Sequence, residues 1–527
     1  MQYFSYLCAR FNILTEMKNR IGLILCTLTF SMVLFAQTHI TIDNPSTWSG
    51  EALRPYIGKK VVFDVPMYIC TNTNGYTVSP WRKFQPQSHG YEGTADYNAT
   101  VRINSKCMFS LSGVPEPTSA MHEPKHRCGE AIHNLTVTVN STNSLSWESG
   151  TWKGNTRADL EAGLPDLGDY RLLVCGFNLE NYFMTWGSMG ADSYAEHQDQ
   201  RAKISKALKQ INADIFGLVE LQKGDAALAE IVSDLNANLP KRNYKYFSGD
   251  ASADLQKVDF VYDANTVTPL GTPAYTDEEV AHRKKMVYFI EKATGEKFIY
   301  SINHFKAMNT GDEYRRVNEA RAVVKLYNRY RTNTDHDVLI MGDLNCYAFT
   351  EPIKVFLDHG LIDMHRAFHA DTSYSYMYGG LTSYIDHALC NETMYRQITG
   401  MAGYHLNSDE DDQYNYQRSN DKTMFRCSDH DPVLVGLKLD STLVYDPTPT
   451  INSLEVVEDH LHNITIRNGY HEGDPSYYAI YNMRGDQISQ GPISNSFQEV
   501  QLPDDSGLYI LYIYAEGKVY QKKFIMP

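Results

Sequence analysis

The sequence predicts a layered α/β domain at the centre of the chain, with an all-β region on either side. Three observations carry this. Between Tyr170 and Asp440, apolar runs of strand length alternate with segments whose apolar residues recur at helical spacing. The flanking regions instead read as short alternating strands broken by turn-forming residues. Finally, 527 residues at 43% hydrophobic and 12% aromatic are too many for one core and too apolar for disorder, which divides the chain into about three domains.

Residues 1–37 read as a leader. Lys18 and Arg20 precede the apolar stretch Ile21 to Phe35, which ends in Ala36-Gln37, the shape of a secretory signal peptide starting at Met17. The stretch is too short and wrongly flanked for a stable transmembrane anchor, so the expectation is an exported or cell-surface protein without membrane insertion. Nine cysteines fall to seven once Cys8 and Cys26 leave with the leader, and the odd number leaves at least one thiol unpaired. Cys70, Cys107 and Cys128 share one segment and could supply a disulfide.

Residues 38–150 form the first β region, with strands such as Lys60 to Val65 and Leu135 to Val139. Within it, Trp81-Arg82-Lys83-Phe84 has the make-up of an aromatic and basic platform, although a core corner with exposed charges explains it more simply. Residues 151–169, rich in Gly and Asp, read as a linker. The α/β domain, residues 170–440, opens with the buried-strand run Arg171 to Phe177; Ile204, Leu208 and Ile211 then mark a helix over Arg201 to Ile211. Ile215 to Val219, Phe298 to Asn303 and Val338 to Met341 read as further strands, and Tyr314 to Tyr330 and Pro352 to His359 as helices. Tyr445-Asp446-Pro447-Thr448-Pro449-Thr450 lies in a Pro/Thr linker, 441–451, before a second β region at 452–527.

Polar residues follow the strands of the central domain in a repeating way. Asn178 follows Arg171 to Phe177, Glu220 ends Ile215 to Val219, and His304 follows Phe298 to Asn303. Asp343 and Asn345 follow Val338 to Met341, Asp386 follows Ser383-Tyr384-Ile385, and Asp429-His430 stands before the apolar run from Val433. Each alone is a turn former or a surface charge. Together they are oxygen ligands and proton-transfer groups at strand ends, where layered folds place catalysis. The net charge of −15, the pI of about 5.6 and the lack of a Lys- or Arg-rich run exclude a binder that works through a broad basic surface. A polyanionic substrate would need a local cluster and metal ions.

The ordered segments Phe177-Asn178-Leu179-Glu180-Asn181, Gly217-Leu218-Val219-Glu220, Asn303-His304-Phe305-Lys306, Gly342-Asp343-Leu344-Asn345, Ile385-Asp386-His387 and Ser428-Asp429-His430-Asp431-Pro432 resemble the motifs of the endonuclease/exonuclease/phosphatase family, over about Gly168 to Asp440. The resemblance implies a four-layered α/β sandwich, two packed β-sheets flanked by helices, with a divalent metal at one end. It implies that Glu220 is the principal metal carboxylate, with Asn178 and Asp429 completing a shell for Mg²⁺ or Mn²⁺, Ca²⁺ being the alternative. His430 would activate water as general base, oriented by Asp386. Asp343 and Asn345 would position nucleophile and phosphate, and His304 would donate to a phosphate oxygen or the leaving group. Lys306 and Arg283 would add positive charge, but Arg283-Lys284-Lys285-Met286 lacks the proline that follows the arginine in relatives, and His304 shows no acidic partner in the sequence. The acidic run Asp409 to Asp412 is either a calcium site or, more simply, a solvated loop.

Two further resemblances concern the flanks. The first β region resembles oligonucleotide-binding-fold modules. The close of the second, Gly507-Leu508-Tyr509-Ile510 and Gly517-Lys518-Val519-Tyr520, is similar to sorting domains of the type IX secretion pathway, so that machinery is an expected partner. The resulting expectation is a secreted metal-dependent phosphodiesterase, foremost an endonuclease acting on DNA or RNA. The alternatives are a phosphatase or phospholipase C-like phosphoesterase and, outside enzymes, a non-catalytic surface protein on an inherited scaffold.

Overall fold

The computed structural model describes residues 38–440, apart from 45–46, 118–124, 188, 250–253, 277–282, 309–310, 332–335, 370–371 and 419–420, together with strands within 455–526. The leader 1–37 and the linker 441–451 lie outside the described residues. Among those described, no helix is long and apolar enough to cross a membrane.

The central domain is two six-stranded sheets packed face to face. The first runs Tyr244–Tyr246, Gln256–Asp263, Ile215–Gln222, Leu172–Tyr182, Val433–Leu437, Ile398–Gly403. The second runs Val267–Tyr275, Lys284–Glu291, Lys297–His304, Val338–Asp343, Asp386–Cys390, Ile362–Asp363. Continuous apolar runs form these strands because both faces are covered. In Leu172–Tyr182, Leu172 and Val174 point between the sheets, toward Val287, Phe298, Leu339 and Met341, whereas Leu173, Cys175 and Phe177 point outward. Helices Tyr194–Ile211 and Ala226–Asn238 cover that outer face with Ile204, Leu208, Leu228 and Ile231. Glu313–Tyr330 and Glu351–Asp358 cover the second sheet with Val323, Val324, Tyr327 and Phe356. The order of layers is helix, sheet, sheet, helix, the four-layered sandwich expected from the motifs.

In the N-terminal region the pairings close a ring of five strands. Met67–Thr71 pairs with Tyr76–Ser79, that with Phe109–Ser112, that in parallel with Ser144–Lys153, that with Ala131–Ser141, and the last returns to Met67–Thr71. Ile69, Val78, Phe109, Ile132, Val137 and Leu145 fill its interior. A helix, Ala95–Lys106, is inserted here without any signal in the apolar pattern, because none of its residues is buried. The stretch 151–169 departs from the linker expectation: the strand continues to Lys153, and Thr156 and Asp159 form a capping box on the helix Arg157–Glu161. Among the described residues Cys70, Cys107 and Cys128 are buried and form no disulfide, and Cys175, Cys346, Cys390 and Cys427 are buried likewise.

The acidic run is neither a calcium site nor a solvated loop. Asp409 accepts from Arg82, from Asn155 Nδ2 at 2.8 Å and from the Tyr374 hydroxyl at 2.6 Å. Glu410 is held between Arg127 at 2.6 Å and Arg157 at 2.6 Å, and Asp411 meets Lys125 at 2.8 Å. The basic residues all precede Tyr170, so these carboxylates fasten the five-stranded ring onto the sandwich. Most of the Trp81 to Phe84 segment is absorbed in the same junction: Arg82 stacks 3.9 Å from the Tyr374 ring centre, and Lys83 and Phe84 are buried, whereas Trp81 is exposed.

Toward the C-terminus, Glu455–Glu458, Asn463–Arg467 and Phe497–Gln501 form one sheet; Gln487–Ile493, Ser476–Asn482, Gly507–Ala515 and Lys518–Met526 form another. Ile464, Ile466, Ile480, Leu511 and Ile513 are buried in their common core.

Candidate active site

Strand register brings the polar residues together. In the second sheet, the parallel pair of Lys297–His304 and Val338–Asp343 sets His304 opposite Asp343, and the antiparallel pair with Asp386–Cys390 sets Asp343 opposite Asp386. Asp386 therefore begins a strand rather than ending one, because an antiparallel neighbour offers its N-terminal end to the same sheet edge. Gly342 permits this register: its φ is +126° and a Cβ there would lie 2.0 Å from the Asn303 carbonyl oxygen. In the first sheet Asn178 pairs with Val219, next to Glu220, and Val433, just past His430, pairs with Gly176. Both sheets thus deliver their polar ends to one edge of the sandwich.

The side chains then interlock. Asn178 Nδ2 donates to Asp343 Oδ2 at 3.1 Å, and Asn345 donates to Asp343 from its backbone N at 2.9 Å and from Nδ2 at 3.2 Å. Glu220, held at φ +61°, accepts from the Asn181 backbone N at 2.9 Å. His304 Nε2 lies 3.7 Å from Glu220 Oε1 and 3.7 Å from Asp343 Oδ2. His430 Nδ1 meets Asp386 Oδ2 at 2.8 Å, which leaves Nε2 facing Asp343 at 3.8 Å and Asp429 at 3.9 Å. The Ser375 hydroxyl donates to Asp386 at 2.7 Å and orients it in turn.

The loop carrying Asp429 and His430 is braced from below. Asp431 accepts from the backbone N of Asn407 at 2.8 Å and of Ser408 at 3.0 Å, and from His405 Nδ1 at 2.9 Å. Asn407 Nδ2 donates to the His430 carbonyl at 2.6 Å. The acidic run begins two residues after Asn407, so the support of His430 continues into the junction with the N-terminal ring.

Electrostatics divide the roles. Burial, with Asp386 and Glu220 nearby, pushes the Asp343 carboxyl up to about 8 against the opposing charge of His430. Burial and Asp429 raise Glu220 as well. Burial opposes charge on His430, but the carboxylates of Asp386, Asp429 and Asp343 outweigh it and hold the imidazole well above its ordinary value. His304 goes the other way: burial, Arg283 and His430 depress it, so it is a neutral imidazole. Its Nδ1 is buried without a hydrogen-bond partner among the described residues, so no carboxylate supports it there.

Of the two residues expected to add positive charge, Arg283 Nε is bound to Asp254 at 2.7 Å, with its charge still felt at His304; Lys306 lies two residues after His304, and its backbone N donates to Glu319 at 2.9 Å. Glu180 lay within a quoted motif without a role. It sits at φ +52°, half-buried near Asp429 and Glu220, and desolvation with the charge of Asp429 pushes it up to about 8 despite Arg426 and the Asn415 amide. Tyr376, whose ring centre is 4.8 Å from that of His430, was also missed, since an exposed-looking Tyr in a Ser/Tyr stretch carries no signal of its own.

A cation suits this donor set. Glu220, His304 and Asp343 offer ligand atoms within 4.8 Å of one another, and Asp343, Asp386 and His430 form a second such group. Raised carboxyls crowded in a buried site mark negative charge without enough compensation, and carboxylate and amide oxygens favour hard divalent ions.

Residues 177–430 match the model described as the Endonuclease/Exonuclease/phosphatase family. Among solved structures, the chain is similar to an endonuclease/exonuclease/phosphatase from Bacteroides vulgatus, at 15% identity over 51% of this chain and 99% of that one, with a TM-score of 0.38. It is similar to a mannosyl-6-phosphatase from Bacteroides thetaiotaomicron, at 19% identity over 51% and 100%, TM-score 0.38. The catalytic domain of human Nocturnin, with bound sulfate, matches at 13% identity over 50% and 93%, TM-score 0.36. No curated protein matches the sequence.

Proposed function

We propose that the chain, whose residues 177–430 match the Endonuclease/Exonuclease/phosphatase family, is a divalent-metal-dependent phosphodiesterase, exported by its leader and acting foremost on nucleic acid. The observation that carries the chemistry is the pairing of His430 with Asp386 at 2.8 Å beside Glu220, Asp343 and Asn178 at one sheet edge. Glu220, Asn178 and Asp429 would hold the cation, which neutralises charge on the phosphoryl oxygens when bound.

The chain's own residues supply the rest. Asp386 fixes the Nδ1 proton of His430, so Nε2 is the atom that takes a proton from water. Neutralising the carboxylates around His430 relieves the field that holds its proton, which brings it back toward a working base. Asp343, itself fixed by Asn178 and Asn345, aligns the attacking water. His304, neutral, donates to a phosphate oxygen or the leaving group.

Purified protein assayed with Mg²⁺, Mn²⁺ or Ca²⁺ against plasmid DNA, RNA, inositol phosphates and sphingomyelin, beside a His430→Ala control, tests this. Hydrolysis of the nucleic acids supports the proposal. Hydrolysis confined to the monoester or lipid would replace it with the phosphatase or phospholipase-like reading.

A further inference from the structure

A cleft of about 690 Å³ lies between the N-terminal ring and the sandwich, next to the candidate active site. One wall is the loop joining the first two strands of the ring, with Thr73 and Asn74 at its tip, and the strands bearing Thr77 and Ser112; the facing wall carries Met377 and Arg426. The volume is that of a small-ligand site, roughly 300–1,000 Å³. Its walls are fixed, because the buried ion pairs of Asp409, Glu410 and Asp411 lock the two parts together.

Both elements of the facing wall lead to the reacting groups. Met377 follows Tyr376, which packs on His430, and Arg426 is close enough to Glu180 and Asp429 to be stabilised as a cation by them. The charges that line the cleft are already matched. Glu410 is paired with Arg127 and Arg157, and Asp412 with Arg418 and Arg426. What remains for a ligand is hydroxyl, amide and backbone groups set in a lining that is more apolar than polar. Such a surface suits a neutral sugar and base and gives no purchase to a run of phosphates.

We propose that this cleft binds a nucleoside flanking the scissile phosphate, so that the N-terminal ring forms part of the substrate site. The faces of the second and third strands in five-stranded barrels, with the loop between the first and second, are used for oligonucleotides and oligosaccharides; the adjoining phosphoester site favours the former. This rests on the phosphodiesterase reading above.

Thr73→Trp and Ser112→Trp, both at exposed positions on separate strands or loops, would fill the cleft. Binding of a fluorescein-labelled oligothymidylate is measured in chelator, where there is no turnover, and hydrolysis of bis(4-nitrophenyl) phosphate, which has no nucleoside, is measured with metal. Both variants should weaken oligothymidylate binding about tenfold and leave bis(4-nitrophenyl) phosphate hydrolysis unchanged. Unchanged oligothymidylate binding would overturn the proposal, as would equal competition by maltohexaose. If the wild type hydrolyses no phosphodiester yet its oligothymidylate binding still depends on Thr73, the cleft assignment stands and the catalytic reading fails.

Discussion

Asp386→Asn separates the orienting and electrostatic parts of the His430 site. Asp386 Oδ2 lies 2.8 Å from His430 Nδ1 and is also held by the Ser375 hydroxyl, so asparagine keeps the shape while losing the charge. At an effective dielectric of about 20, unit charges at that separation interact by about 6 kcal/mol, most of which offsets the burial of the imidazolium. The net effect of one such neighbour on a pKa is about 1–3 pH units. The sign follows directly: Asp386 raises His430, so its loss lowers His430, and the acid limb of the rate profile moves to lower pH. The plateau also falls, by about 10²–10⁴, because a base with an unfixed tautomer loses its general-base contribution. The assay is initial rates on bis(4-nitrophenyl) phosphate across pH at saturating metal. An acid limb that stays in place, with a plateau within about threefold of wild type, would refute the assignment of His430 as the base.

Three other expectations can be checked separately. Glu220→Gln should weaken Mn²⁺ binding by at least about tenfold in calorimetry, since it removes a carboxylate that lies 3.7 Å from His304 Nε2 and is held by the Asn181 amide. Asp343, pushed up to about 8 from an ordinary 3.8, holds a proton in the fold that the unfolded chain has lost, so without metal the thermal midpoint should fall as pH rises from about 4 to 8; added divalent metal should offset that fall, by about 2.7 kcal/mol at a hundred times its Kd. Arg82→Ala leaves the fully buried Asp409 with only Asn155 and Tyr374, and should cost about 3 kcal/mol in denaturant unfolding.

The catalytic half of the molecule was legible because its signals are local and repeated. Each of Asn178, Glu220, His304 and Asp343 follows a continuous apolar strand, and strand order in sequence is enough to collect them at one end of a layered sheet. Asp386 and Asp429-His430 are brought there by antiparallel pairing, which periodicity does not reveal, so their place depended on the motifs. The junction was not legible. Asp409-Glu410-Asp411 reads as a solvated run because its partners, Arg82, Lys125, Arg127 and Arg157, are some 250 to 330 residues away in sequence. Likewise the helix Ala95–Lys106 has no buried residue to give it an apolar stripe. Glu180 was visible but mute: only the fold shows it beside Asp429.

The account's central claim is that Glu220, Asp343 and the Asp386-His430 pair form one metal-dependent phosphodiester-cleaving site. Its most direct test is the rate of oligonucleotide hydrolysis by the wild-type protein with Mg²⁺, after chelation and metal restoration, and in His430→Ala under the same conditions. The account predicts loss on chelation, recovery with metal, and at least about a hundredfold loss in His430→Ala. Hydrolysis that survives both chelation and the His430→Ala substitution would contradict it.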